Sequence, residues 1–492
     1  MSERCGFAAE RSVPLIDEQL KQDVEAYVDE VWEDVVEDIR SLVRIDSVED
    51  LEHAEPGKPW GPGAYQALVK GLELTERAGL EPHNCGGYIG YADLPGRSEK
   101  QIATIAHTDI VPVGIGWTVP ALDVTRREGY LLGRGVLDDK GPFVLSVYAA
   151  KYFADQVRRT GEQLPYTLRC IVGNNEETSM ADVEWYLENY EAPDFLFTPD
   201  ADFPLICGEK GIFHGLFTTK APVVHEGSVL VELDGGTVAN AIPGLATAKV
   251  KTEGMPTSEC ADSFELEAST EGLTQVVSHG IGGHAAFPQG TVNAIGQLST
   301  MLLDLGVTAG DEGLDAFLRM VNVIANTSDG KPLGIASADE VFGALTMNAG
   351  VVRTLDDGTM TITMDVRYPT SIAIEDVIGA FEKLAEEHGC TFEAGMSNPP
   401  FYMDPSLPAI QALLDTYREY ADPAAEPFVI GGGTYARHFP RACAFGPHDP
   451  SVKDPEWVGI EHGPDEGVSE ECLKRALKIY IVSIARLMEL DL

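Results

Sequence analysis

The sequence predicts an α/β protein: a mostly parallel sheet with helices on both faces, plus a separate α+β domain inserted into it. Three observations carry this. Between residues 100 and 202, short apolar runs alternate with amphipathic helices, the grammar of βαβ units. From about 213 to 395 the strands alternate apolar and polar residues with a period of two, as half-buried strands do. After 396 the first style returns, so 1–212 and 396–492 are expected to form one discontinuous domain around 213–395.

The elements follow in order. LKQDVEAYVDEVWEDVVEDIRSLVRI places Val24, Tyr27, Val28, Val31, Val35 and Ile39 on one helical face with acids opposite, the pattern of a helix solvated on one side. A Gly/Pro-rich turn, EPGKPWGPGAY, separates it from a second helix, YQALVKGLELTERAGL. QIATIAHTD, YTLRCIVGNNEE and DFLFTPDAD read as strands, with helices DKGPFVLSVYAAKYFADQVRR and MADVEWYLENY between them. In the inserted part SVLVELDGG, TQVVSHGIGG and TMTITMDVRYP are strands and AIEDVIGAFEKLAEEHG is a helix. The closing elements are the helix PAIQALLDTYREYA, a glycine turn IGGGTYAR, the strand-like RACAFGP and a final helix EECLKRALKIYIVSIARLMEL.

Composition narrows the function. With 492 residues at 44% hydrophobic content, the chain can bury a large core, which excludes a wholly disordered protein. A formal net charge of −44 excludes nucleic acid and anionic membranes as natural partners. No apolar stretch is long enough to span a bilayer. The opening MSERCGFAAERSV lacks the order of a signal peptide, so none is expected. The eight cysteines (Cys5, Cys85, Cys170, Cys207, Cys260, Cys390, Cys443 and Cys472) are scattered without a C-x-x-C pair and read as reduced thiols of a cytoplasmic protein.

Polar residues collect where the strands of the first domain end. IATIAHTD ends in His107 and Asp109, GRGVLDDKG supplies Asp138 and Asp139 before a helix, CIVGNNEE ends in Glu176 and Glu177, and FLFTPDAD ends in Asp200. His462, in EHGPDE, follows the last α/β strand. In open α/β sheets ligands bind beyond the carboxyl ends of the strands. Any one of these groups alone has an ordinary explanation, such as a surface hydrogen bond or an acid at a helix start; their recurrence at successive strand ends does not. Carboxylates packed at about 4 Å repel by roughly 1–4 kcal/mol per pair, and divalent cations relieve that at neutral pH. Asp138, Glu177 and Asp200 with His107 and His462 form a mixed donor set that suits zinc, manganese or cobalt better than calcium. There is no H-E-x-x-H, G-x-S-x-G or P-loop to compete.

HTDIVPVGIGW, GRGVLDDKGP, NNEET, FTPDADFP, GEKG, GGGTYAR and EHGPDE, in this order, resemble the co-catalytic metallopeptidases of the M20 clan, and within it the PepV-type dipeptidases. The resemblance implies a metal-dependent catalytic domain and an inserted lid. It implies two divalent ions, zinc first with manganese or cobalt as alternatives. His107 and Asp200 would hold one and Glu177 and His462 the other, with Asp138 bridging them and a cis peptide before Asp139. Asp109 would orient His107, and Glu176 would be the general base. In the lid, His284 of GGHAAFPQG would polarise the substrate carbonyl, and Asn240 and Arg367 would contact substrate. So would Gly432, Gly433 and Thr434 of the glycine turn. Departures from the family pattern are PAL at Pro120–Leu122, NNEET itself, and Asp465 where Asn is usual.

These readings converge on a hydrolase of small amide substrates, dipeptides first, with deacylation of N-acyl amino acids or diaminopimelate derivatives as the alternative. A metal- or peptide-binding protein without turnover would not need Glu176, and a dinuclear phosphodiesterase sits poorly with the acidic chain. Oligomeric state is left open.

Overall fold

A computed structural model describes residues 18–251, 263–268 and 272–492. Cys5, Cys260 and the opening MSERCGFAAERSV lie outside the described residues. The chain forms two compact units, Met1–Cys207 with Tyr402–Phe428 and Thr434–Leu492, and Gly208–Phe401 with Val429–Gly433. The inserted unit thus starts before residue 213 and ends after 395. The reason is pairing: Gly211–Thr219 and Cys390–Asn398 are neighbouring antiparallel strands of one sheet, so neither can be divided from the other. Residues 429–433 join them, with Lys210 N donating to Ile430 O at 2.9 Å.

In the first unit the strands run in the order Glu81–Cys85, Ile89–Leu94, Tyr166–Gly173, Ser98–His107, Phe195–Thr198, Ala442–Ala444. The last four are mutually parallel, and the first two add antiparallel at one edge. Side-chain alternation along Tyr166–Gly173 defines the two faces. Cys170 Sγ lies 3.9 Å from Ser146 O of the helix Lys140–Thr160, and Val172 and Phe143 of that helix both close around Gly71. Arg169 points the other way, donating to Tyr186 Oη of the helix Ala181–Asn189 at 2.7 Å. Helices therefore cover both faces. That explains why Ile102–His107 is buried residue after residue and reads as a continuous apolar run.

The first helix spans Glu18–Val43 and buries Val24, Val28, Val31, Val35 and Ile39, as its periodicity predicts. The edge hairpin Glu81–Leu94 is an addition to the sequence reading. Its outer strand exposes Glu81, Asn84 and His83, so it carries no apolar alternation to detect, and its turn uses Gly86 and Gly87 at positive φ. Among the described residues, no helix is long and apolar enough to cross a membrane.

The second unit holds an eight-stranded sheet. Met360, Ile362, Met364 and Val366 of one central strand are buried in a core shared with Leu298, Leu302, Phe317, Val321, Val377 and Phe381. Those last six come from the helices Ala294–Asp304, Glu312–Ala325 and Ile374–Glu387. The period-two pattern of this part is thus that of a sheet with one face against helices.

Candidate metal centre

Within the first unit, parallel register brings the predicted residues to one rim. His107 closes its strand opposite Gly173, after which the neighbouring strand runs on into Glu176 and Glu177. His107 is fully buried, and its Nε2 lies 3.1 Å from Asp138 Oδ1 and 3.7 Å from Asp200 Oδ2. The second oxygen of Asp138 faces His462, whose Nε2 is 2.9 Å from Asp138 Oδ2 and 3.1 Å from Glu177 Oε2. Two groups of possible ligands result, His107–Asp138–Asp200 and Asp138–Glu177–His462, each with its donor atoms within 4.8 Å of one another. Asp138 belongs to both.

The supporting contacts separate acids that look equivalent in sequence. The Asp138–Asp139 peptide is cis, and Asp139 turns to the main chain, where its Oδ2 accepts from His107 N at 2.9 Å. Asp109 faces the other ring nitrogen of His107: Nδ1 is 3.1 Å from the Asp109 carbonyl oxygen and 3.3 Å from its Oδ1. Its Oδ2 accepts from Glu177 N at 3.1 Å, so one carboxylate touches two of the segments that carry candidate ligands. Asp182 Oδ2 fixes the approach to the glutamate pair by accepting from Asn174 N, Asn175 N and Tyr435 Oη at 2.8, 3.1 and 2.5 Å. Gly173 is required there, because a Cβ would fall 2.2 Å from Tyr435 Oη.

Crowding shows in the acidities of the cluster. Burial, reinforced by Asp200, Glu177 and Asp138, pushes Glu176 well above the carboxylate range. Burial, with Asp138 and Glu177, raises Asp200 to about 7 although His107 opposes it. Hydrogen bonds to Asp138 and Glu177 lift His462 to about 11. Burial alone would raise Asp138, but His107 and His462 hold it below its usual range.

Residues 103–486 match peptidase family M20/M25/M40. The chain belongs to this family.

The M20 chain is 32% identical over 472 residues to a Bacillus subtilis (strain 168) protein named "Putative dipeptidase YtjP", covering 92% of this chain and 97% of that one. Its fold resembles the di-peptidase Dug1p from Saccharomyces cerevisiae, with a TM-score of 0.59 at 12% identity over 96% of this chain and 99% of that one. It also resembles human carnosine dipeptidase 1, with a TM-score of 0.56 at 12% identity over 96% and 100% of the two chains.

The donor set of the M20 chain fits divalent cations. Glu177 Oε1 is buried without a hydrogen-bond partner among the described residues, a costly state for a carboxylate oxygen that a cation would remove. Imidazole nitrogens with carboxylates are the ligands that zinc, manganese and cobalt accept. Protonation competes directly. Without a cation, His462 would hold a proton at pH 7 and Asp200 would bind one far more readily than an ordinary carboxylate, whereas the ligand forms carry none. Cation binding therefore releases protons. Affinity should rise with pH, and below pH 7 it should fall on the order of tenfold per pH unit for each proton released. Calorimetric titration in two buffers of different ionisation enthalpy checks this; equal heats in both would contradict it.

Within the second unit, His284, Asn240 and Arg367 are linked to the glycine turn by a chain of contacts. His284 pairs with Ala241, and Ala285 N donates to Asn240 O at 2.8 Å, which sets His284 beside Asn240. Ala286 N donates to His284 Nδ1 at 3.1 Å, so the neutral ring carries its proton on Nε2. Gly431 approaches the same loop closely enough that a Cβ would lie 2.6 Å from Ala286 Cβ. Arg367 is buried, donates through Nε and Nη2 to Asp365 at 2.8 Å each, and donates through Nη1 to Gly431 O at 2.9 Å. It therefore braces the glycine turn containing Gly432 and Gly433. Thr434, in the first unit, caps the turn Tyr435–His438 by accepting from Ala436 N at 3.1 Å.

The sequence reading omits Asp182, Tyr435, Arg134 and Glu466. Asp182 looks like any acid in the first turn of a helix. Arg134 and Glu466 each stand four residues from a candidate ligand, inside motifs already singled out, and that proximity is the signal available. Asp465 has a visible role: Oδ1 accepts from Thr118 N and Oδ2 from Thr118 Oγ1, both at 2.8 Å. It thus fastens the segment just before Pro120–Leu122, so two of the departures from the family pattern adjoin each other.

Proposed function

We propose that this M20 peptidase hydrolyses the amide bond of dipeptides with two divalent ions, zinc first. His107, Asp138 and Asp200 hold one ion, and Asp138, Glu177 and His462 hold the other. The observation that carries the reading is that the two ligand groups share Asp138. Divalent ions held by these residues would lower the pKa of a bound water and polarise a substrate carbonyl. Asp109 keeps His107 Nδ1 occupied, which presents Nε2 to Asp138 and Asp200. Glu176 takes the proton of the attacking water and delivers it to the leaving nitrogen, a task suited to a carboxylate whose proton affinity burial and neighbouring acids have raised. His284 offers its Nε2 proton to the carbonyl oxygen as negative charge develops there. Asn240, Arg367, Gly432, Gly433 and Thr434 are assigned to substrate, with Arg367 acting at least in part by bracing Gly431. The lid is assigned to the unit Gly208–Phe401 with Val429–Gly433, which contains the expected 213–395, and the catalytic domain to the other unit.

Dipeptides are favoured as substrates by the name of the Bacillus subtilis relative and those of the two structural neighbours. The cytoplasm is favoured by the free, buried thiols of Cys85, Cys170, Cys207, Cys390, Cys443 and Cys472. The test is release of free amino acids by metal-stripped protein reloaded with zinc, manganese or cobalt, offered unblocked dipeptides and N-acylated amino acids. Metal-dependent cleavage of the unblocked set is expected. Cleavage of the acylated set alone would make the protein a deacylase, and no cleavage of either would leave a binding protein.

A further inference from the structure

Outside the ligands themselves, one buried ion pair touches both arms of the proposed centre. Glu466 and Arg134 are 0% and 1% exposed. Glu466 Oε1 accepts from the main-chain N–H groups of Gly135, Leu137 and Asp138 at 2.9, 3.1 and 3.3 Å, gathering the turn that delivers Asp138. Its Oε2 accepts from Arg134 Nη1 at 2.5 Å. The second arm of Arg134, Nη2, donates to His462 O at 3.1 Å. That carbonyl belongs to a residue held in the left-handed region, with φ of 61°, a conformation that costs a non-glycine residue free energy and persists only when its surroundings impose it. Trp117 packs against the guanidinium, 5.3 Å from ring centre to Cζ, and limits its reorientation.

We propose that Glu466 and Arg134 are positioning residues that set the separation of Asp138 and His462, and hence the geometry of the ligand group these two share with Glu177. Neither is a ligand in the two groups described above. Glu466 acts on the peptide groups around Asp138, and Arg134 carries the same constraint across to the backbone of His462. The two nitrogens of a planar guanidinium reach the two acceptors in a fixed fork, a geometry the single nitrogen of a lysine ammonium does not reproduce. The inference rests on the two-ion reading.

Its test is ion binding rather than turnover. Wild type, Arg134→Lys and Glu466→Gln are stripped of metal, checked for native circular dichroism, and titrated with cobalt, with stoichiometry read by mass spectrometry and ligand geometry by the visible absorption of the bound ion. Wild type is expected to bind two ions. Arg134→Lys retains a charge for Glu466 but frees His462, so affinity at the site containing Glu177 and His462 should fall by about 10–100-fold while the site containing His107 and Asp200 keeps its own. In Glu466→Gln an amide N–H₂ meets the guanidinium, and both sites should weaken because both use Asp138. A pair that serves only folding would lower the melting temperature of the metal-free variants and leave two ions bound with wild-type affinity and spectrum; that outcome overturns the inference. Arg134→Lys, as the milder change, keeps the question open to decision if Glu466→Gln does not fold. A wild type that binds a single ion removes the two-ion reading, and this inference with it.

Discussion

Glu176→Gln is expected to lower kcat by about 10²–10⁴-fold, the range associated with losing a general acid–base group, and to leave the content of bound metal unchanged. The separation of those two effects is the point of the experiment. Glu176 and Glu177 are adjacent in sequence, yet only Glu177 belongs to a ligand group, with its Oε2 3.1 Å from His462 Nε2. Glutamine preserves the size and polarity of Glu176 but cannot accept a proton at any pH where the protein is folded. Kinetics under saturating metal, with metal content measured on the same samples, check the result. Full activity would take the role of base away from Glu176, and loss of metal would make it a ligand.

Asp138→Ala is expected to be the most damaging single change at the site. It removes a ligand from both groups at once, whereas His107→Ala or His462→Ala each removes one from a single group. Metal content should drop from two ions to fewer than one at concentrations that saturate the wild type, and turnover should be lost with it. Stability reports the same event. An ion present at 100 times its Kd stabilises the folded state by about 2.7 kcal/mol, so the wild type should melt at a higher temperature when zinc is added. Asp138→Ala should lose most of that rise. An unchanged rise in the variant would mean that the cation binds elsewhere.

The candidate site was legible because its residues mark strand ends. An apolar run that ends in His107, or is followed within a few residues by Glu177 or Asp200, marks where a parallel strand stops, and in this fold that rim is where neighbouring strands align. Individual roles were less legible. Asp138 and Asp139 are the same residue type in the same turn, and only the backbone path sends one to the cluster and the other to His107 N. Burial is also invisible in a short motif: Glu466 in EHGPDE could equally be a solvated acid, yet it is 0% exposed. The edge hairpin Glu81–Leu94 escaped for the opposite reason, since an outer strand with exposed polar side chains has no pattern to read. Arg367 shows a further limit. Its residue type fits both a substrate contact and an ion pair on the sheet, and Asp365, two residues away on the same strand, supplies the ion pair.

The sharing of Asp138 is tested most directly by anomalous diffraction from crystals of the zinc-reloaded protein, measured on either side of the zinc absorption edge. The account predicts two peaks, one among His107, Asp138 and Asp200 and the other among Asp138, Glu177 and His462, with the Asp138 carboxylate between them. A single peak at full zinc occupancy, or a second peak away from Glu177 and His462, would contradict it.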